Sequence, residues 1–537
     1  MQQYDVVVIG AGHNGLTCAA YLGMAGLKVK VVERREIVGG AAVTEEFYPG
    51  FRNSIAAYTV SLLNPKVIRD LRLHDHGLRI VERRAQNFLP APDGRRSILS
   101  GEGRTEREIA KLSPRDAERY AAFDREIDMA ADVLRELVLQ APPNLASGFA
   151  GLGELIKAGK LGCKLKHLPD ADLRTLYGLF TRSAGEHLDS WFEDDLVKAL
   201  YGFDAVVGFY GSPYTPGSGY VLLHHAFGEV NGKRRVWGHA VGGMGAITAA
   251  MAKSAASHGV EIETGAPVRE LLIERGQARG VVLNDGRVVR ANAVAVNANL
   301  KLFYTSMVPD GALDAEFLRR MQAFRCGSGT FRMNLALSEL PSFTALPGRT
   351  LADHHTAGIV IGPSLGYMDR AHNDARAHGW SKEPIVELLI PSTLDDTLAP
   401  NGAHVASLFC QHVAPELPDG RSWNDHKNAV ADLMIETVER YAPGFKASVV
   451  GRQALSPLDL EQTFGLVGGD ISHGSMSLDQ LFWARPMLGY ADYRGPLPGL
   501  YHCGAGAHPG GGVTGAPGHN AAHAILADRR WRLPWRR

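Results

Sequence analysis

The sequence predicts an α/β protein in which a parallel sheet is combined with a second domain of mixed or antiparallel sheet and helices. Three observations lead to this prediction. The chain opens on a short apolar run, a segment of helical length and a second apolar run, which is the order of a βαβ unit. The same alternation returns near Ala240, and segments of alternating polarity follow between residues 300 and 465. We therefore expect the parallel sheet to be assembled from separate parts of the chain.

Composition narrows the classes of protein that remain. The 537 residues include 57 basic and 57 acidic side chains, so there is no basic excess for nucleic-acid binding. The length suits two or three domains. No apolar run approaches the ~20 residues of a membrane-spanning helix, and no leader precedes the first strand, so we expect a cytoplasmic protein. The five cysteines are far apart in the chain, which argues against a local dithiol centre and a structural zinc site.

The first βαβ unit carries a dinucleotide-binding fingerprint. Its predicted elements are a strand at 5–9, a helix at 14–26 and a strand at 28–32. Between the first strand and the helix stands Gly10-Ala11-Gly12-His13-Asn14-Gly15, whose glycines suit a tight turn, close approach to a pyrophosphate and close helix packing. Glu33 ends the second strand, where a carboxylate binds ribose hydroxyls and disfavours a 2′-phosphate. Together these features predict a Rossmann-like domain.

A second glycine pair indicates which dinucleotide is bound. Gly39-Gly40-Ala41 follows Glu33 closely and would bring another stretch of backbone against the cofactor. Nicotinamide enzymes hold their second nucleotide in a second Rossmann half, yet no second G-x-G-x-x-G follows a strand in this sequence. One dinucleotide gripped by several separate segments is the way in which FAD is held. We therefore predict FAD as the cofactor.

The rest of the chain supplies the remaining elements of both domains. Residues 105–140 have a charged, mostly helical pattern. Buried strands are predicted at 260–263, 281–283 and 293–296, with Asn284-Asp285-Gly286 as a hairpin turn. Antiparallel strands are predicted at 331–336, 385–390 and 404–411, and helices at 425–441 and 520–528. The glycine-rich stretch 504–518 should place the backbone of Gly512 and Val513 at the flavin pyrimidine edge, where a helix N-terminus stabilises the reduced flavin.

These motifs resemble those of the phytoene dehydrogenase-like FAD-dependent oxidoreductases, within a glycine-doublet class that also includes amine oxidases. The resemblance rests on Gly39-Gly40, on Gly242-Gly243-Met244-Gly245 with the strand toward Val268, and on residues 500–513. Within this family the chain is similar to the branch named pyridine nucleotide-disulfide oxidoreductase domain-containing protein 2. That similarity rests on residues 33–47, 50–63, 477–480 and 484–486. The animal members are mitochondrial, and the missing leader suggests a bacterial cytoplasmic relative.

The fingerprint and the resemblance together predict the residues that bind FAD. The predicted contacts are Gly10, Gly12, Asn14, Gly15, Glu33, Arg34, Gly39, Gly40, Ala41, Val268, Gly506, Gly511, Gly512 and Val513. The resemblance places Val268 at the adenine side. The closing segment Gly504-Ala505-Gly506-Ala507 departs from the wider class, because it lacks the carboxylate that binds the ribityl chain in many flavoproteins. Phytoene desaturases show a similar gap.

Several side chains are candidates for a catalytic or metal-binding role. His508 stands beside the expected flavin ring, where it would position substrate or move a proton, although we favour a structural role for it. His473 and Tyr58 are further candidates, with core packing expected for Tyr58. The pairs His224-His225 and His354-His355 are not expected to bind a metal, because neighbours on a chain do not face one site.

The stretch 142–170 interleaves apolar residues with lysines. The lysines are Lys157, Lys160, Lys164 and Lys166. This composition suits a peripheral contact with a membrane surface, or a solvated cap helix over the substrate cavity, which we favour. The two interpretations are compatible if substrate enters from lipid.

The predicted organisation leads to three hypotheses for function. The FAD domain comprises residues 1–100, 236–300 and 468–537, with a helical cap at 101–235 and a substrate domain at 301–467. The resemblance implies hydride transfer between flavin and a small apolar substrate, such as an isoprenoid. Amine oxidation and a partner-binding protein with structural FAD are the alternatives. Because the sequence has no second dinucleotide site, dithiol or cysteine cluster, we expect oxygen or a quinone as electron acceptor and little reduction of the flavin by NADH or NADPH.

Overall fold

The computed structural model describes residues 3–144, 159, 162 and 166–532. The strands are β1 Gln3–Ile9, β2 Val29–Val32, β3 Thr44–Tyr48, β4 Phe51–Ser54, β5 Ile80–Glu82, β6 Asn87–Pro90, β7 Ser97–Leu99, β8 Glu229–Val230, β9 Lys233–Arg234, β10 Gly238–Ala240, β11 Glu261–Glu263, β12 Val268–Glu274, β13 Gln277–Leu283, β14 Val288–Val296, β15 Thr330–Leu337, β16 Gly358–Ile361, β17 Trp380–Leu389, β18 His404–Val413, β19 Val449–Leu455 and β20 Leu500–His502. The helices are α1 His13–Met24, α2 Pro65–Asp70, α3 Thr105–Ala110, α4 Pro114–Val138, α5 Asp170–Thr181, α6 Ala184–Trp191, α7 Asp195–Gly202, α8 Ser218–Ala226, α9 Met244–Ser257, α10 Leu300–Ser306, α11 Ala315–Gln322, α12 Leu365–His378, α13 Trp423–Glu439, α14 Phe445–Ser448, α15 Pro457–Phe464 and α16 Ala516–Arg532.

The first sheet has seven strands and draws them from three distant parts of the chain. Its order is β11-β2-β1-β14-β13-β12, and β20 pairs with β14. β1 lies parallel to both β2 and β14, so the order of the strands reverses at its carboxyl end, which is where α/β sheets bind their ligands. β12 and β13 add an antiparallel edge that the short apolar runs did not predict. The predicted turn joins β13 to β14, and Gly286 there has a φ of +86°.

β1 is buried on both faces, as its unbroken apolar run predicts. Val6 and Val8 pack into the core beneath α1, while Val7 and Ile9 join the core on the other side of the sheet. All four side chains are almost completely buried. This burial holds the fingerprint turn, which begins at Gly10, at a fixed position at the sheet edge.

The second sheet is mixed, and helices cover the region between the two sheets. Its order is β19-β15-β18-β17-β16-β6-β7, antiparallel except where β16 meets β6. The strands predicted at 331–336, 385–390 and 404–411 correspond to β15, β17 and β18. Helices α4 to α8 bury a separate apolar core around Phe123, Leu188 and Leu223. The architecture is the α/β combination that the sequence predicts.

Two predictions about membranes and domains stay open. Lys157, Lys160 and Lys164 lie outside the described residues, so the proposed role of 142–170 stays a prediction. No described helix combines the length and apolarity needed to cross a bilayer. The domain boundaries also stay a prediction, although the first sheet does take its strands from residues 3–32, 261–296 and 500–502.

Candidate functional site

One cavity follows the carboxyl edge of the first sheet and contains most of the predicted cofactor contacts. Those that line it are Gly10, Gly12, Asn14, Glu33, Arg34, Gly39, Gly40, Ala41, Val268, Gly512 and Val513. They come from the turn after β1, the end of β2, the second glycine pair, the start of β12 and the closing glycine segment. The structure therefore brings together segments that are separated by hundreds of residues in the chain.

The glycines of the fingerprint allow three pieces of backbone to meet at the cavity. Gly10 has a φ of +96°, which only glycine adopts readily. A Cβ on Gly15 would lie 2.2 Å from the carbonyl oxygen of Gly10. Gly15 therefore serves close packing, as its place in the fingerprint predicts, and does not line the cavity. The Gly39 N–H donates to the Ala11 carbonyl at 2.9 Å, which joins the second glycine pair to the first.

The N-terminus of α1 has the chemistry of an anion site. Its N-cap is Gly12, no side chain caps the helix, and the first turn contains no acidic residue. The free N–H groups and the positive end of the helix dipole therefore face the cavity without a protein partner. Asn14 Oδ1 is also buried without a hydrogen-bond partner among the described residues. These groups fit the pyrophosphate of FAD.

Glu33 lies at the end of β2 and is only 5% exposed. Its carboxylate accepts hydrogen bonds from Ala11 N at 2.7 Å and from Arg35 N at 3.0 Å. These bonds fix the carboxylate beside the fingerprint turn, where the sequence predicts the ribose. A carboxylate that already accepts two backbone N–H bonds keeps further lone pairs for hydroxyl donors.

We expect Glu33→Ala to weaken FAD binding by about 1–3 kcal/mol, because charge-assisted hydrogen bonds to the ribose would be lost. That is roughly a 5- to 150-fold rise in the dissociation constant. Titration of the apoprotein with FAD, followed by flavin fluorescence, measures the change. Glu36→Ala is the matched control, because Glu36 is exposed and does not line the cavity. Equal weakening in both variants would contradict the assignment.

A segment that no motif predicts closes the cavity near Arg34. Phe464, Gly465 and Leu466 line it there, and the Arg34 guanidinium donates to the Thr463 carbonyl at 2.6 Å. The guanidinium of Arg35 lies over the Phe464 ring. The contact joins the end of α15 to the residues after β2, and neither segment has an unusual composition that would show this from the sequence.

The closing glycine segment meets the fingerprint helix, but two of its glycines do not reach the cavity. A ring nitrogen of His13 lies 3.2 Å from the Gly512 carbonyl oxygen. Gly506 and Gly511, predicted as cofactor contacts, are not among the residues that line the cavity. A Cβ on Gly506 would lie 2.9 Å from Leu300, and one on Gly511 would lie 2.7 Å from Ser472. Close packing therefore accounts for both glycines.

Beyond Gly512 the cavity widens into a chamber with a mainly apolar wall. This apolar chamber is lined by Tyr58, Leu62, Val207, His224, His225, Trp237, Ile471 and Met476. His224 and His225 therefore face the same cavity, which corrects the expectation that adjacent residues do not. They can do so because the wall runs along α8, with the two rings 5.4 Å apart and almost perpendicular. Within the described residues no group of metal-ligating side chains includes them.

The structure separates the two single histidine candidates. His508 does not line the cavity; its ring lies against Phe482, with a nitrogen 3.1 Å from the Leu137 carbonyl oxygen. Burial lowers the pKa of His508 to about 4. His473 does line the cavity and has a φ of +55°, and burial also lowers its pKa to about 4. The geometry therefore favours His473 over His508 as a group that contacts a ligand.

A buried charged cluster supports the wall behind Tyr58. The Tyr58 hydroxyl donates to Glu387 at 2.5 Å, and the Arg332 guanidinium lies 4.4 Å from the centre of the Tyr58 ring. Arg83 donates to Thr59 Oγ1 at 2.6 Å. Burial raises the pKa of Glu387, while Arg83 opposes that shift. Sequence reasoning missed this cluster because its members come from four separate segments and form no motif.

Two cysteines that are distant in the chain meet in the core. Cys18 in α1 and Cys503 after β20 are completely buried, and their thiols are hydrogen-bonded to each other. Burial raises the pKa of the Cys503 thiol, and the Cys18 thiol adds to the shift. Both groups therefore stay protonated, which suits packing and not nucleophilic chemistry. Spacing along the chain could not show that the two side chains are neighbours.

Known proteins share these features over the length of the chain. Residues 15–330 match the family described as flavin containing amine oxidoreductase. Pyridine nucleotide-disulfide oxidoreductase domain-containing protein 2 from Rattus norvegicus is 42% identical over 98% of this chain and 94% of its own length. One of the polypeptides of limonene dehydrogenase from Castellaniella defragrans is 28% identical over 100% and 96%. Phytoene desaturase (lycopene-forming) from Pseudescherichia vulneris is 27% identical over 97% and 98%.

A solved structure shows the same fold. The crystal structure of an oxidoreductase from Methanosarcina mazei matches with a TM-score of 0.60 and 19% identity, over 97% of this chain and 100% of that chain. The resemblance to the phytoene dehydrogenase-like flavoproteins is thereby confirmed, as is the prediction of FAD as cofactor.

Proposed function

The chain belongs to the family of flavin-containing amine oxidoreductases and is an FAD-dependent enzyme, and from this premise we propose that it dehydrogenates an apolar substrate of the isoprenoid type. The observation that carries the proposal is the apolar chamber, where Leu62, Val207 and Met476 form much of the wall. The only carboxylate among the described residues that line the cavity is Glu33, beside the fingerprint turn. A cationic amine would find no anionic partner in the wall, whereas a hydrocarbon buries its surface there.

The names of two relatives support the same substrate class. Limonene and phytoene, which appear in the names of those relatives, are both hydrocarbons without a charged group. Amine oxidation, which the family description suggests, is the competing function. The composition of the chamber wall favours the hydrocarbon.

The residues of the chain would bind FAD and exclude water from it. The N-terminus of α1 would hold the pyrophosphate, Glu33 the ribose, and the backbone at Gly512 and Val513 the flavin. His13 would keep the two ends of this arrangement together through its contact with Gly512. When bound, FAD supplies the acceptor for the hydride that leaves the substrate. Because the chamber is apolar, the reacting carbon atoms would be shielded from solvent.

Reoxidation would depend on an acceptor that enters from outside. The sequence has no second dinucleotide fingerprint, and the buried thiols of Cys18 and Cys503 do not line the cavity. Oxygen or a quinone is therefore the proposed acceptor. A peripheral membrane contact through 142–170, which would suit a quinone, belongs to the same proposal.

Anaerobic mixing of the FAD-loaded protein with a panel of reductants tests the function. The panel contains limonene, phytoene in detergent micelles, benzylamine and NADH, and loss of the flavin absorbance band is followed with time. We expect one of the hydrocarbons to bleach the flavin, and benzylamine and NADH to do so slowly or not at all. Rapid bleaching by the amine alone would establish the competing function. Rapid, saturable bleaching by NADH would overturn the proposed acceptor scheme.

A pair of matched variants tests whether the chamber binds the hydrocarbon. Val207→Asp places a carboxyl group in the chamber, and we expect it to slow bleaching by the hydrocarbon while FAD stays bound. Val450→Asp makes the same change at a residue that is 47% exposed on β19 and should have no effect. Undiminished bleaching in Val207→Asp would show that the substrate binds elsewhere.

A further inference from the structure

Helix α8 presents two adjacent histidines to the apolar chamber, and they differ in their partners. His225 has Nδ1 3.0 Å from the Val221 carbonyl oxygen, and its ring stacks on Trp237. His224 is only 4% exposed, and its Nδ1 has no hydrogen-bond partner among the described residues. Its Nε2 lies 3.5 Å from the position that a Cβ on Gly512 would take. Buried polar groups are normally hydrogen-bonded, so a histidine left in this state calls for a ligand.

The surroundings of His224 keep its ring neutral. Its neighbours are the aromatic rings of Tyr220 and Phe227 and the imidazole of His225. Burial lowers the pKa of His224 well below its ordinary range, and the charges of His225 and Arg485 lower it further. A neutral imidazole has one nitrogen with a free lone pair, which is able to accept a proton.

We propose that His224 accepts the proton that the substrate releases during dehydrogenation. This assignment rests on the proposed function. Formation of a carbon–carbon double bond removes two hydrogens: one leaves with both electrons of its C–H bond as a hydride to FAD, which is reduced. The other leaves as a proton, and the electron pair of its C–H bond becomes the new π bond. The proton is taken up by the free ring nitrogen of His224, so atoms and electrons balance.

The other polar groups of the chamber are less suited to this step. The Tyr58 hydroxyl is already bonded to Glu387, and His225 is engaged by the Val221 carbonyl. His473 also has an unpartnered Nδ1. Its neighbours include His13, the first residue of α1, which places it toward the proposed pyrophosphate site. His224 lies between the apolar wall and Gly512, where the reacting carbon atoms would meet the flavin.

Kinetics of flavin reduction by the hydrocarbon test the assignment. In His224→Gln, which keeps a polar side chain without the base, we expect bleaching to slow by roughly 100-fold or more. FAD content and the midpoint of urea unfolding should match those of the parent. Added imidazole should partly restore the rate in His224→Ala, which a purely structural role would not produce. His372→Gln is the control, because His372 is buried, has an unpartnered Nδ1 and does not line the cavity.

A second measurement needs no substrate. In nitrogen-15 spectra of the FAD-loaded protein labelled at histidine, the His224 signal is identified by its loss in His224→Gln. We expect this ring to stay neutral from about pH 8 to about pH 5, below the ordinary pKa of histidine, and its signal to shift when limonene is added. A ring protonated at neutral pH, or equal bleaching rates in the parent and His224→Gln, would overturn this assignment alone. A parent protein that no hydrocarbon bleaches would overturn the proposed function and the assignment with it.

Discussion

Gly12→Val is expected to leave the protein folded but without FAD. A Cβ at this position would lie 2.9 Å from Asn297 Nδ2, whose amide donates to the Gly10 carbonyl and holds the fingerprint turn. The two further carbons of valine would stand between the backbone and the pyrophosphate. Loss of several charge-assisted hydrogen bonds at about 1.5–3 kcal/mol each predicts a rise in the dissociation constant on the order of 100-fold or more.

The flavin absorbance of purified protein and a titration with added FAD measure this effect. Gly178→Val is the matched control, because a Cβ on Gly178 meets no atom within 4 Å and the residue lies in α5, away from the cavity. The control should retain its flavin. Unchanged flavin content in Gly12→Val would show that the pyrophosphate is bound elsewhere.

Arg485→Leu is expected to cause a large loss of stability. Arg485 is completely buried, and its guanidinium donates to the Ser472 carbonyl at 2.6 Å and to the Ala505 carbonyl at 2.8 Å. Its remaining N–H groups donate to the carbonyls of Gly474, Ser475 and Gln480. Leucine would leave these carbonyls unsatisfied and the buried carboxylate of Asp470 without its neighbouring cation. We expect the free energy of unfolding to fall by about 3–5 kcal/mol.

Urea unfolding followed by tryptophan fluorescence gives this free energy. Arg325→Leu provides the comparison, because Arg325 holds the same loop through Ser477 and Asp479 but its side chain is 57% exposed. Its ion pair is worth at most about 1 kcal/mol. Equal losses in the two variants would mean that the buried hydrogen bonds of Arg485 contribute nothing special.

The parts of the site that the sequence predicts are those built from contiguous residues. Gly10 to Gly15 and Glu33 belong to one βαβ unit, so their spacing alone defines the turn, the helix N-terminus and the carboxylate. Val268, Gly512 and Val513 came from the family resemblance, and the structure places all three at the same cavity. These predictions needed only local geometry or motifs of fixed spacing.

The parts that the sequence does not predict depend on packing between distant segments. Glu387 and Arg332 lie in buried strands of the second sheet, where charged residues look out of place until Tyr58 is seen between them. The adjacency of His224 and His225 was taken to exclude a shared site, but a wall that follows the helix receives both rings. Gly506 and Gly511 look like cofactor contacts because glycine serves close packing and close ligand approach equally well.

The contact between His13 and Gly512 also affects how the protein acquires its cofactor during synthesis. The two residues are 499 positions apart. At about 5–20 residues per second, the ribosome takes roughly 25 to 100 seconds to deliver the second after the first. For that interval β1 lacks its partner β14 for much of the time, and the flavin end of the cavity does not exist. Nascent chains therefore emerge without flavin, and a cell short of FAD accumulates complete but colourless protein.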